Sequence, residues 1–119
     1  MPNSPRSPMN APESTRELRT VPRYSFIATV DIIEPMSDVC ISGRVSEISR
    51  KGCYVDILNT LPKDTLVRVR VVRDQGTFDS PGKIIYVLDR MGMGVAFLDP
   101  PADQLQILDS WLIELSVIV

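Results

Sequence analysis

The stretch Leu66-Val67-Arg68-Val69-Arg70-Val71-Val72-Arg73 decides the fold class. Val67, Val69 and Val71 alternate with Arg68 and Arg70, so one face is aliphatic and the other charged, which is the period of a half-buried strand. The same period recurs on both sides of it. Phe26, Ala28, Val30 and Ile32 alternate with Ile27, Thr29, Asp31 and Ile33. After a turn over Glu34 to Asp38, with Pro35 inside, Val39, Ile41, Gly43 and Val45 read as a second strand, and Cys53, Val55 and Ile57 as a third. Leu61-Pro62-Lys63-Asp64 precedes the valine-arginine strand, and Lys83–Leu88 and Gly94–Phe97 follow as two more.

Only the end of the chain changes period. Leu105, Leu108, Leu112 and Leu115, with Trp111 beside them, fall on one helical face. Asp99 is placed to cap that helix, Pro100 and Pro101 suit its first turn, and Asp103 complements its dipole. Six short strands and one closing helix predict a mainly β protein: a six-stranded antiparallel barrel with a C-terminal helix plugging or flanking it.

The 119 residues, 44% hydrophobic and 24% charged, suit one domain. Five prolines stand in the first 22 residues, among Ser, Thr and Asn. Residues 1–15 are therefore expected to form a disordered tail and residues 16–119 the domain. No apolar run reaches the roughly 20 residues a membrane helix needs, and no secretory signal is visible, so a cytoplasmic location is expected. The net charge of −2 argues against bulk electrostatic binding to nucleic acid polymers or anionic membrane. Seven aromatic residues leave little for the base-stacking platform of an OB-type barrel. The chain has no histidine, which removes His-based triads, imidazole general bases and histidine zinc sites. Two cysteines, Cys40 and Cys53, cannot build a four-thiolate metal site. They are expected on neighbouring strands as buried, reduced thiols. No catalysis, metal or cofactor is expected.

Two polar clusters remain. Arg19 and Arg23 stand four apart where the tail enters the first strand, with Arg16 just upstream. Glu47-Ile48-Ser49-Arg50-Lys51-Gly52 forms a polar turn between the second and third strands. Each has a plain reading: solvated arginines at a junction, and a hairpin in which Gly52 supplies a positive φ. A barrel that set both clusters on one face would combine forked guanidinium donors, for phosphate oxygens and the O6/N7 edge of guanine, with a carboxylate acceptor for guanine N1 and N2. Ser49 and nearby backbone N–H groups would hold phosphate.

This arrangement resembles the PilZ domain, a bacterial receptor module for cyclic di-GMP. The family carries Arg-x-x-x-Arg before its first strand, matched by Arg19 and Arg23. Its Asp/Asn-x-Ser-x-x-Gly motif is matched by Glu47, Ser49 and Gly52, with a glutamate where the family has Asp or Asn. The Leu61–Asp64 turn, the run Gly92-Met93-Gly94-Val95-Ala96-Phe97 and the closing helix agree as well. The resemblance implies a cyclic di-GMP site made of Arg19, Arg23, Glu47, Ser49 and Gly52, with Arg16 and Arg50 as further contributors. It also implies a receptor that orders its arginine segment on binding and signals to a protein partner. The alternative it implies is a PilZ-fold adaptor that binds no nucleotide and acts through protein contacts.

Overall fold

The computed structural model describes residues 21–74 and 76–117; the expected tail lies outside them. Six strands, β1 (Arg23–Glu34), β2 (Val39–Ser49), β3 (Gly52–Asp56), β4 (Leu66–Arg73), β5 (Gly76–Leu88) and β6 (Gly92–Phe97), are followed by the helix α1 (Ala102–Val117). All neighbouring strands pair antiparallel in the order β1-β2-β3-β6-β5-β4, and β4 pairs back to β1. The closed ring leaves no unpaired edge.

The alternation read from the sequence is the wall of this barrel. Val67, Val69 and Val71 face inward with Val30, Ile32, Val45, Val55, Phe78, Ile84, Met93 and Val95. Arg68 and Arg70 face outward, and both bind the Asp79 carboxylate from the next strand, at 2.7 and 3.2 Å. The β1–β2 turn is held by Glu34, whose carboxylate accepts bonds from the Ser37 hydroxyl and the Met36 and Ser37 amides.

Three expectations about the elements are corrected. β5 begins at Gly76 rather than Lys83, and it runs through Pro81. The proline is tolerated because β6 ends opposite Gly82, so no ladder bond from the missing N–H is required on that side, while the Pro81 carbonyl accepts the Leu98 amide. Asp99 does not cap the helix. It sits at φ 48°, and the cap position falls to Pro101, whose carbonyl accepts the Leu105 amide. Of the two cysteines only Cys53 is buried. Cys40 is exposed at the far end of β2 and pairs with Ile33, whereas Cys53 pairs with Ile48, eight residues along.

The helix flanks one end of the barrel. Leu108 is fully buried there, and the Trp111 ring lies 5.5 Å from that of Phe26 and against Gly76. Arg73 stacks its guanidinium over Phe26 and pairs with Glu114 of α1. This is the end at which β1 begins and the β2–β3 turn lies, so helix, turn and first strand share one rim.

Candidate site at the barrel rim

The β2–β3 turn owes its shape to Ser49. Its buried hydroxyl oxygen accepts the Lys51 and Gly52 amides at 3.1 and 3.3 Å and donates to the Gly52 carbonyl at 3.4 Å. The side chain thus does the work of a backbone turn. Gly52 does not take a positive φ, contrary to the hairpin reading; no described glycine does. Glycine is required there for a different reason. It pairs with Ala96, and a Cβ would overlap the Val95 carbonyl oxygen, so the bare backbone lets β3 start flush against β6.

Glu47 reaches the outer face through a bulge. Val45 pairs with Val55, yet Glu47 pairs with Tyr54, so Ser46 is an extra residue against β3. Strict alternation from the inward Val45 would turn position 47 into the core; the bulge re-aims it outward. There its carboxylate meets the Arg23 guanidinium at 3.3 Å, a diagonal pair across β1 and β2, with both side chains about two-fifths exposed.

A shallow concavity at the rim is lined by Arg23, Glu47, Ser49 and Gly52, with Ile48 and Cys53 at its base and Tyr54 and Tyr86 along its side. Arg23 of the first sequence cluster and Glu47, Ser49 and Gly52 of the second therefore line one concavity. Arg50 does not join them; it points to the helix and pairs with Asp109 at 3.1 Å. It borders a second, more open groove of about 460 Å³ between Val21, Pro22 and Tyr24 on one side and Leu112, Ile113 and Ser116 on the other. Arg16 and Arg19 lie outside the described residues.

The tyrosines were missed in the sequence because the period hides one of them. Ile84 faces inward, so Tyr86 two positions on should do the same. A second bulge, between the pairs Ile84–Val95 and Tyr86–Gly94, turns its ring outward beside Arg23 and Glu47. Burial pushes the Tyr86 hydroxyl above the ordinary phenol range, with the Arg23 charge pulling the other way and Tyr54, Glu47 and Cys53 adding to the rise. Tyr54 is raised too, chiefly by burial and then by Asp56. Among the described residues no group of three or more His, Cys, Asp and Glu side chains gathers as a metal site. No helix among them is long and apolar enough to cross a membrane.

Barrel, flanking helix and polar rim define a small closed-barrel module with Arg23, Glu47 and Ser49 gathered at one rim. The PilZ domain family model matches residues 17–114, and the chain belongs to that family. Solved structures with the same fold include the inhibitor of motility of Bacillus subtilis (TM-score 0.69, 15% identity), covering 83% of this chain and 51% of that one. The PilZ domain of YcgR from Escherichia coli, solved with c-di-GMP, matches at TM-score 0.66 and 14% identity over 81% of this chain and 89% of its own. The PilZ domain of CeSA from a cellulose-synthesizing bacterium matches at TM-score 0.62 and 20% identity, over 80% and 98%. The chain spans about half the length of the motility inhibitor and 45% of YcgR solved in complex with c-di-GMP. No curated protein matches.

Proposed function

We propose that this chain is a bacterial, cytoplasmic receptor for cyclic di-GMP without catalytic activity. The observation that carries the reading is the convergence of Arg23, Glu47, Ser49 and Gly52 on one rim concavity. Two PilZ structures of the same fold are described with c-di-GMP, which supports that ligand. Arg23, with Arg19 and Arg16 upstream, supplies charge-assisted donors for phosphate and guanine oxygens. Glu47 accepts from guanine N1 and N2, and the Ser49–Gly52 turn, whose Lys51 and Gly52 amides are held by the Ser49 hydroxyl, fixes the rim beside it. Binding must exchange the Arg23–Glu47 ion pair for contacts to the ligand. The exposed pair contributes at most about 1 kcal/mol, so charge-assisted bonds to phosphate outweigh it. Binding fixes the arginine segment on the rim and thereby changes the surface offered to a protein partner.

Calorimetric titration with cyclic di-GMP tests this. Arg23→Ala is expected to weaken binding by about one to two decades while leaving the denaturant midpoint nearly unchanged, because its charge partner is also solvated. Unchanged affinity would remove Arg23 from the site. A second reading, the PilZ-fold adaptor that binds no nucleotide, is favoured by the groove beside α1, where Ile113 is two-thirds exposed. Absence of any titration heat, together with no change in melting temperature at saturating cyclic di-GMP, would favour it over the receptor.

A further inference from the structure

One register row crosses five strands at the rim. Ser25 pairs with Glu47, Glu47 with Tyr54, Tyr54 with Gly94, and Gly94 with Tyr86. Tyr54 and Tyr86 are thus two strand spacings apart, roughly 10 Å at the backbone. Their rings nonetheless lie 6.2 Å apart and within 22° of parallel. The glycines of β6 make that possible. A Cβ on Gly94 would fall among the Tyr86 ring atoms, and one on Gly92 would meet the Tyr54 hydroxyl and the carbon that bears it. Each ring therefore lies down over a glycine instead of standing off the sheet, and both remain partly exposed. The bulge in β5 is what brings Tyr86 to this face at all. The result is a flat aromatic surface that continues directly from the Arg23–Glu47 pair.

Resting on the receptor reading above, we propose that Tyr86, seated on Gly94 and flanked by Tyr54, is the stacking surface for a guanine base of the ligand. A purine laid on this ring has its polar edge toward Glu47 and Arg23, the two groups in the concavity able to accept from and donate to it. Stacking gives the site affinity for a planar base, and the neighbouring pair gives it a preference for guanine. Neither Tyr86 nor the glycine beneath it belongs to the arginine or serine-glycine motifs.

The test is calorimetry of the full chain with cyclic di-GMP, using Tyr86→Phe and Tyr86→Leu, beside an intermolecular NOE measurement on the wild-type complex. Tyr86→Phe keeps the ring and should bind within about threefold of wild type. Tyr86→Leu, with an unchanged circular dichroism spectrum, should weaken binding about five- to a hundredfold. NOEs should connect the Tyr86 ring protons with guanine H8. Wild-type binding without those NOEs, or unchanged affinity in Tyr86→Leu, overturns the stacking role and leaves the receptor reading standing. If Tyr86→Leu fails to fold, the NOE decides alone. If the wild-type chain binds no cyclic di-GMP, the receptor reading falls and this proposal falls with it.

Discussion

Glu47 and Gly52 differ in what their substitution should disturb. Glu47 stands where the family motif has Asp or Asn, and in the free chain its carboxylate is paired with Arg23. On the receptor reading Glu47→Asp shortens the reach, restores the family's acceptor depth, and should bind cyclic di-GMP at least as tightly. Glu47→Ala should weaken binding, because the guanine N1 and N2 donors lose their acceptor on desolvation. Tighter binding by Glu47→Ala in the same titrations would show that the carboxylate only withholds Arg23 from the ligand. Gly52→Ala should act on stability instead. The added Cβ would overlap a backbone oxygen rather than a movable side chain, so a strand must shift, at about 1–3 kcal/mol. A urea midpoint equal to wild type would contradict that.

Among the elements, α1 depends most on tertiary support. Its leucines form a stripe, yet it has no basic residue in its last turn and no polar side chain at the cap position, so packing must hold it. Trp111 is the principal anchor, covering Phe26 and filling the space over Gly76. Trp111→Ala should cost about 3–5 kcal/mol in chemical denaturation. It should also release Arg73 and Glu114 from their packed arrangement. A loss below about 1 kcal/mol would mean that the helix end is not docked as described. The strands need less help, since β4 and β1 carry their alternation in sequence and each finds partners on both sides.

At the level of the whole barrel, Cys53 links burial to pH. Burial pushes its thiol up to about 12 from 9.0. Between those values the unfolded chain binds fewer protons than the folded one, so folding stability falls as pH rises, by about 1.4 kcal/mol per unit. From pH 9 to 11 the wild type should therefore lose about 2 kcal/mol more than Cys53→Ala; parallel curves would contradict the buried thiol. Tyr54 and Tyr86 add a loss of the same sign from about pH 10 upward, in both proteins. In the same preparation a thiol reagent should label Cys40 in the native state and Cys53 only after unfolding.

The amino-acid order by itself determined the wall of the barrel. Alternating Val and Arg in β4, the apolar set of β1 and the leucine stripe of α1 are local patterns, each tied to one backbone period, so strands, helix and inward residues could be read directly. Arg23, Glu47, Ser49 and Gly52 were legible as motif positions. Their geometry was not, because it depends on pairing between strands distant in sequence. Gly52 reads as a turn glycine in the sequence, yet its neighbour across the sheet, Val95, is what excludes a side chain. Arg50 reads as part of the rim cluster in the sequence, but a helix some sixty residues later draws it away to Asp109. The fifth strand reads from Lys83 in the sequence, yet β5 runs back through Pro81, because the end of β6 leaves that proline no ladder bond to break. Above all, the bulges at β2 and β5 invert the period on which sequence reading relies. A bulge arises when the register of two partner strands disagrees by one residue, a quantity that neither strand carries alone. That is why the tertiary structure, and not the local pattern, placed Glu47 and Tyr86 together on the outer face.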